Sequence, residues 1–330
     1  MEVQLIYPSR LEKYAKRLQA ELAQRGYPPQ AIALEKVEEL GRGLLIVLGL
    51  DREVLEALHH APYQSTVLPV APPSYTGYVA LTPFQKCAQV VEQLEAGRIE
   101  PLRVPVLSAS VDGTANVRAI NEVAVFPRRS ATLMEYDLEV NGDLLWHDTS
   151  DGVIVATPLG STAYALSAGG PVVLLDTEAL VIVSVNSTEP GRRPVVVSLG
   201  SSIRVGGIAS RTAVEAVADG VERVEVEEEV RVFVGGYLNL VVTESRGTAL
   251  VKRKLTYAEL RDLPPSAKLV LKVLEEEGEL GISEIIDLTG LPERTVRHAL
   301  ALLSSRGFIA KLEDPVNPKR ILYRVSQAVA

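Results

Sequence analysis

A segment near the middle of the chain tightly limits the local fold. Residues 151–171 read Asp-Gly-Val-Ile-Val-Ala-Thr-Pro-Leu-Gly-Ser-Thr-Ala-Tyr-Ala-Leu-Ser-Ala-Gly-Gly-Pro. The apolar run 153–156 predicts a short buried strand that the Thr-Pro pair ends. Residues 160–162 are small, so a ligand can approach the backbone closely there. Residues 163–167 predict a helix with Thr162 as its N-cap, which would leave N–H groups beside the loop. A strand, turn and helix without a ligand is the alternative.

This segment resembles the signature of the NAD kinase family, in which a Thr-Pro-x-Gly-Ser-Thr-Ala-Tyr loop follows an Asp-Gly pair. Asn121-Glu122 matches the family's Asn-Glu pair upstream of it. Arg193-Pro194 and Asp219-Gly220 lie where the family has Arg-Pro and Asp-Gly-Gln. The matches extend over roughly residues 1–253. The resemblance implies an α/β domain followed by an all-β domain, with the nucleotide between them.

One family motif is damaged. NAD kinases carry Gly-Gly-Asp-Gly-Thr after a strand, a turn that cradles the phosphates of the donor. Here residues 49–53 read Gly-Leu-Asp-Arg-Glu after the apolar run 44–48. Glycine lets the backbone come within contact distance of a phosphate, whereas Leu and Arg add Cβ atoms and Glu53 adds a repelling charge. Asp51, the family's catalytic base, is retained. A divergent but working kinase remains the alternative.

The resemblance also implies a ligand site. Asn121 and Glu122 would hold a ribose and the adenine end of NAD, and Asp151 would contact the nicotinamide half. Four further residues would line the dinucleotide pocket: Thr162, Ala163, Tyr164 and Ser167. NAD or NADP is therefore the expected ligand, and ATP with Mg is needed only if the chain is a kinase.

Composition limits the class of protein. The chain has 330 residues, 47% of them hydrophobic, a net charge of −8 and one cysteine. This length predicts two or three domains, and the single cysteine suits a reducing, cytoplasmic location. We expect no signal peptide and no membrane span. We also expect no metal site, because the adjacent His59 and His60 would point to different faces of a helix.

The pattern of elements changes along the chain. Residues 1–105 alternate strands and helices, which predicts a parallel sheet with helices packed on it. Ser9, with Glu12 three residues later, predicts a capping box at the first helix. Residues 106–253 carry short β-rich segments separated by turn signals, and predict the β-rich nucleotide-binding domain.

A different module follows. Residues 254–263 predict a linker, and 264–330 predict three helices and a β-hairpin. Ser266 should cap the first helix, and Pro292 suits the first turn of the third helix. The module resembles a winged helix-turn-helix domain.

The third helix of this module has a polar face opposite its apolar stripe. That face is where a recognition helix presents side chains to base edges, and a wing can contact phosphates. We therefore expect double-stranded DNA to be contacted by Arg294, Thr295, Arg297, His298, Lys319 and Arg320. Use of the module for protein contacts or dimerisation is the alternative.

Two functions follow from these patterns. The first is a nucleotide-sensing transcriptional regulator, a homodimer or tetramer, whose degenerate NAD kinase-like domain binds NAD(P) or a related adenine nucleotide. The second is an active NAD kinase, dependent on ATP or polyphosphate, with an appended winged helix. The damaged turn favours the first.

Overall fold

The computed structural model describes residues 2–37, 40–73, 77, 79–80, 82–242, 263–277, 280–306, 308–313 and 321–325. The chain forms two compact units, Met1–Thr248 and Ala249–Ala330. None of the described helices is both long and apolar enough to cross a membrane.

The first unit begins with alternating strands and helices. Strands β1 to β5 are parallel, in the order β2-β1-β3-β4-β5. All five residues of β3 are buried, as expected for a strand covered on both faces. The elements are β1 (Val3–Tyr7), α1 (Glu12–Gln24), β2 (Gln30–Ala33), β3 (Leu44–Leu48), α2 (Asp51–His60), β4 (Thr66–Ala71), β5 (Thr82–Pro83) and α3 (Cys87–Glu95).

Residues 102–242, the rest of the described part of this unit, are mostly β-structure, with one short α-helix. Its strands are β6 (Leu102–Val111), β7 (Ala115–Ala119), β8 (Glu122–Pro127), β9 (Met134–Val140), β10 (Asp143–Ser150), β11 (Gly152–Ala156), β12 (Ala179–Val185), β13 (Val195–Ser198), β14 (Ile203–Ser210), β15 (Val214–Ala218), β16 (Glu222–Val226) and β17 (Val230–Leu240). The helix is α4 (Tyr164–Ser167). Six strands form a separate sheet in the order β13-β12-β11-β8-β15-β16.

Strand β17 joins the two halves of the unit. It pairs in parallel with β4 and antiparallel with β6 and β14. An 11-stranded sheet therefore contains strands from both predicted N-terminal domains. The predicted boundary between residues 105 and 106 falls within β6.

The apolar core of the β-rich half lies between its two sheets. Buried residues from both sheets form one cluster, including Val123, Val153, Leu138 and Val232. The opposite face of the six-stranded sheet carries a smaller cluster, to which Ala165 of α4 contributes. In the β8–β11 pair, Glu122 lies opposite Ala156, which places the start of β8 beside the loop that follows β11.

The second unit has the predicted winged helix-turn-helix architecture. Its helices within the described residues are α5 (Pro265–Glu277), α6 (Ile282–Thr289) and α7 (Glu293–Ser305). Its sheet has the order β18-β20-β19, formed by β18 (Leu280–Gly281), β19 (Ile309–Glu313) and β20 (Ile321–Val325). One core cluster includes residues from all three helices, among them Val270, Ile285, Val296 and Leu300. Pro292 is the N-cap of α7 rather than a residue of its first turn, because its backbone is extended and the helix begins at Glu293.

The predicted capping box at Ser9 is wrong. Residues Ser9–Leu11 form a 3₁₀ turn, and α1 starts at Glu12. Both the N–H and the hydroxyl of Ser9 donate to the carboxylate of Glu35, at 2.9 Å in each case. A tertiary contact therefore takes the place of the local cap, and Glu12 pairs with Lys16 on α1 instead.

Candidate functional site

The Thr-Pro loop, residues 157–164, is hydrogen-bonded to the backbone of residues 120–122, which we call the Asn-Glu corner. The Thr157 hydroxyl donates to the carbonyl of Ile120 at 2.7 Å, and the Thr157 N–H donates to the carbonyl of Asn121 at 2.8 Å. Gly160 lies against the same backbone, since a Cβ at this position would sit 2.1 Å from the Asn121 carbonyl oxygen. The two motifs singled out in the sequence therefore meet, and only glycine fits at their contact.

The predicted N-cap at Thr162 is wrong. Thr162 lies in the 3₁₀ turn Gly160–Thr162, and its hydroxyl donates backwards to the carbonyl of Leu159 at 3.2 Å. Ala163 separates this turn from α4, whose four residues include both Tyr164 and Ser167. The Ser167 hydroxyl donates to the Ala163 carbonyl at 3.5 Å. The loop is thus held by side chains that bond to its own backbone.

The Asn-Glu corner is organised by a buried carboxylate. Asp219, whose side chain is fully buried, accepts the N–H groups of Ile120, Asn121 and Glu122 at 2.7, 2.8 and 3.0 Å. His59 of α2 lies 2.8 Å from the same carboxylate, measured from Nε2 to Oδ2. In the sequence, Asp219 stands out only as part of the Asp219-Gly220 motif. No sequence pattern predicts its contact with His59.

A pocket of about 270 Å³ opens beside this corner. Glu122, Ala124 and Phe126 line it from β8, where alternate side chains share one face. The rings of Phe126 and Tyr164 stack with centroids 5.8 Å apart, and Tyr164 is 45% exposed. The alternation along β8 would have identified Phe126, which the sequence analysis did not name. Val217, Asp219, Gly220 and Arg223 complete the lining.

Two polar atoms at the corner are buried without a hydrogen-bond partner in the described part of the chain: Asn121 Oδ1 and Glu122 Oε2. Burial, with the neighbouring Asp219 charge as a second cause, raises the pKa of the Glu122 carboxyl to about 8. A neutral carboxyl can donate a hydrogen bond as well as accept one. Stacked aromatic rings beside such groups suit a flat, hydrogen-bonding ligand such as a nucleoside.

Asp151 lies away from this corner. It directly precedes β11, whereas the Thr-Pro loop follows that strand. Five strand residues separate the two positions, a span of about 16 Å. Asp151 accepts a hydrogen bond from Asn186 at 2.8 Å. A single copy of the chain therefore does not bring Asp151 to Asn121 and Glu122.

The donor turn, residues 49–53 after β3, has a carboxylate of the chain itself bound at its backbone N–H. Glu53 accepts the N–H of Leu50 at 2.8 Å, which caps the start of α2. Arg10 holds the same carboxylate, with its Nη2 atom 2.6 and 2.8 Å from the two oxygens. Asp51 Oδ1 accepts the N–H groups of Val79 and Ala80, at 2.8 and 2.9 Å. A helix N-terminus that would attract phosphate therefore already faces a negative charge.

Helix α7 of the second unit presents a polar face. Arg294, Arg297 and His298 are exposed, and Thr295 is half-buried. Arg297 pairs with Glu293 one turn earlier, at 2.7 Å. Lys319 and Arg320 lie outside the described residues.

Two family models match the sequence. The ATP-NAD kinase C-terminal domain matches residues 120–241, and the IclR helix-turn-helix domain matches residues 268–313. An NAD kinase from Coxiella burnetii is 30% identical over 199 residues, 59% of this chain and 66% of that protein. An NAD kinase from Methanopyrus kandleri is 30% identical over 190 residues, 57% of this chain and 68% of that protein. The chain thus matches about two thirds of the length of these relatives.

Solved structures share the fold. A crystal structure of an Archaeoglobus fulgidus NAD kinase in complex with ATP matches with a TM-score of 0.64 at 22% identity, covering 80% of this chain and all of that one. Yeast NADH kinase complexed with NADH matches with a TM-score of 0.63 at 20% identity, covering 80% of this chain and 89% of that one. At these identities the likeness concerns the fold.

Gly160→Ala should destabilise the first unit strongly. The new Cβ would overlap the Asn121 backbone, which no side-chain movement can relieve. We expect a loss of about 3 kcal/mol or more in the free energy of unfolding, measured by denaturant titration. Gly191→Ala is the matched control, because a Cβ there meets nothing within 4 Å. Equal stability of the two variants would contradict the close contact.

Glu122→Gln should change how stability depends on pH. The folded protein keeps the Glu122 proton up to about pH 8, whereas an ordinary Glu loses it near 4.5. The folded state therefore holds the extra proton in this window, and wild-type stability falls as pH rises through it. The variant's stability relative to wild type should rise by up to about 1.4 kcal/mol per pH unit.

Denaturant titrations at several pH values measure this slope. Glu222→Gln, on an exposed position of β16, is the control for loss of a carboxylate. A difference between Glu122→Gln and wild type that stays constant from about pH 5 to 8 would show that Glu122 titrates normally.

Proposed function

This chain belongs to the NAD kinase family, and we propose that it is a cytoplasmic regulator that binds an adenine dinucleotide without phosphorylating it and contacts DNA through its helix-turn-helix domain. The proposal separates two halves of the family's reaction. The residues expected to hold the dinucleotide are retained, and the turn expected to hold the phosphate donor is altered.

The observation that carries the proposal is the Glu53 carboxylate at the start of α2. A donor phosphate there would have to displace this carboxylate from the Leu50 N–H and break its pairing with Arg10. Without that displacement, two negative charges would face each other at one helix N-terminus. The site therefore does not suit ATP or polyphosphate as a phosphoryl donor.

The dinucleotide pocket is a better fit for a ligand. Asn121 and Glu122 each present a buried polar atom that a ribose or a base would satisfy. Tyr164 and Phe126 offer an aromatic wall against which a base can pack. Thr162, Ala163 and Ser167 shape the neighbouring backbone. NAD or NADP would thus be bound by hydrogen bonds and stacking, and would act here as a signal.

A second copy of the chain would explain Asp151. Because this residue lies about one strand length from the corner of its own chain, we propose that it contacts the ligand bound by another protomer. A homodimer or tetramer would also supply two recognition helices for a two-fold-symmetric site in double-stranded DNA, with half-sites about 34 Å apart. Ligand binding would change DNA affinity if the two conformations bind the dinucleotide unequally.

Purified protein should bind NAD or NADP in calorimetry but should not convert NAD to NADP when given ATP and Mg. Tyr164→Ala should weaken binding roughly tenfold, because it removes an aromatic contact of about 1–3 kcal/mol. Leu144→Ala, on an exposed position of β10, is the control for loss of an apolar surface side chain.

The kinase alternative has its own signature in these assays. Asp51 is retained, so NADP formation that disappears in Asp51→Asn would establish an active enzyme. Absence of binding by any adenine nucleotide at saturating concentration would overturn the sensor.

Arg294→Ala should reduce affinity for the preferred DNA sequence by about 1–3 kcal/mol and relax the preference at one base. Arg294 is the better candidate base reader, since Arg297 is already paired with Glu293. Selection of genomic fragments by the purified protein, with and without NAD(P), identifies the sequence. Lys268→Ala on α5 removes the same charge and should leave the preference unchanged. Enrichment of no sequence under either condition would exclude specific DNA recognition.

A further inference from the structure

We infer that His59 is a positioning residue for the dinucleotide: it holds Asp219, and through Asp219 the backbone of residues 120–122, in the conformation that binds ligand. The inference rests on the proposed function, because it concerns the same pocket. It assigns a role to a residue outside the pocket lining, on a helix that starts at the altered donor turn.

Both oxygens of the Asp219 carboxylate have two close nitrogen partners each. Its Oδ1 accepts the N–H groups of Asn121 and Glu122, and its Oδ2 accepts the N–H of Ile120 and faces His59 Nε2. An ionised carboxylate offers only acceptors, so Nε2 of His59 must carry the hydrogen in this contact. Four donors thus fix both the position and the rotation of one buried side chain.

Removing the imidazole would leave this carboxylate one donor short in a buried place. The His59 and Asp219 side chains are 9% and 0% exposed, so bulk water cannot readily substitute. The carboxylate would rotate, and the Ile120 N–H that shares Oδ2 with His59 would lose its fixed acceptor. The corner that presents Asn121 and Glu122 would then no longer have one conformation.

A second hydrogen bond holds the C-terminal end of α2 to strand β7, which directly precedes the Asn-Glu corner. Arg118 of β7 donates from Nη1 to the carbonyl of Ala61 at 2.7 Å, just beyond the last residue of α2. Two ionisable groups therefore bond to this end of α2: Asp219, at 2.8 Å from His59 Nε2, and the Arg118 guanidinium, at 2.7 Å from the Ala61 carbonyl. His60, the next residue, is exposed and offers an internal comparison.

The arrangement joins two sites through one helix. Helix α2 starts at Asp51, directly after the turn that Glu53 caps, and its last turn carries His59. Ten helical residues span about 15 Å. A ligand that orders the backbone of residues 120–122 therefore also orders the C-terminal end of α2, the helix whose N-terminus lies at the donor turn. By linkage, a change at the helix alters affinity for the dinucleotide.

The test compares His59→Leu, His59→Gln and His60→Leu in the full-length chain. Leucine removes the donor, glutamine retains an N–H for Asp219, and the His60 variant controls for loss of an imidazole from α2. Amide hydrogen exchange of Ile120, Asn121 and Glu122 without ligand measures how well the corner is ordered. Calorimetry with NAD measures the affinity of the pocket for the ligand. Thermal unfolding confirms that each variant is folded.

In His59→Leu we expect the three amides to exchange roughly tenfold faster and NAD to bind roughly tenfold more weakly. His59→Gln should restore most of both, and His60→Leu should match wild type. Should His59→Leu fail to fold, His59→Ala replaces it, because alanine also removes the donor and leaves Asp219 and its backbone contacts unchanged. The same pattern is expected.

Three outcomes overturn the inference. Unchanged exchange of the three amides in His59→Leu shows that the imidazole does not hold the corner. Faster exchange with unchanged NAD affinity shows that the corner does not position the ligand. A wild-type chain that binds no adenine nucleotide overturns the proposed function and this role with it, and the wild-type titration alone identifies that case.

Discussion

The pairing of β17 with both β4 and β6 determines how the rest of the first unit is arranged. Without it the α/β half and the β-rich half would be separate sheets that could take many relative positions. With it, the parallel strands and the antiparallel strands form one hydrogen-bonded surface. Helix α2 of the first half can therefore place His59 against Asp219 of the second half at a fixed 2.8 Å. The ligand corner is thus built from distant parts of the chain because one strand fixes their geometry.

The altered donor turn follows simple electrostatics. A helix N-terminus has unpaired N–H groups and a partial positive charge, so it needs an acceptor whether or not a ligand is present. Replacing Gly and Thr by Leu, Arg and Glu places a carboxylate of the chain itself in that role, and Arg10 balances its charge. The fold therefore keeps α2 in place with a carboxylate of the chain itself at the position where an external phosphate would bind.

The sequence predicts helices and strands well where the local pattern of apolar residues, glycine and proline determines the secondary structure. The apolar run 44–48 forms the buried strand β3, and α7 begins at Glu293, one residue later than predicted. Ser9 and Thr162 show where local reasoning fails, because each side chain found a partner that the capping rules do not include: Glu35 in one case and a preceding carbonyl in the other. Glu122 and Tyr164 do line one pocket, and Asn121 directly precedes Glu122 in the chain. Asp151 does not join them, because motif order carries no information about strand direction.

The Asn-Glu corner also explains how binding can carry a signal. A buried polar atom that lacks a hydrogen-bond partner costs about 1–3 kcal/mol, and Asn121 Oδ1 and Glu122 Oε2 have none within the described part of the chain. A ligand that satisfies them recovers part of that cost only when the corner has its ordered conformation, so it binds the ordered state more tightly than any relaxed one. Such unequal binding is what a regulator requires. On the proposed function, the groups that a kinase would use to hold its acceptor would serve a sensor as its ligand site.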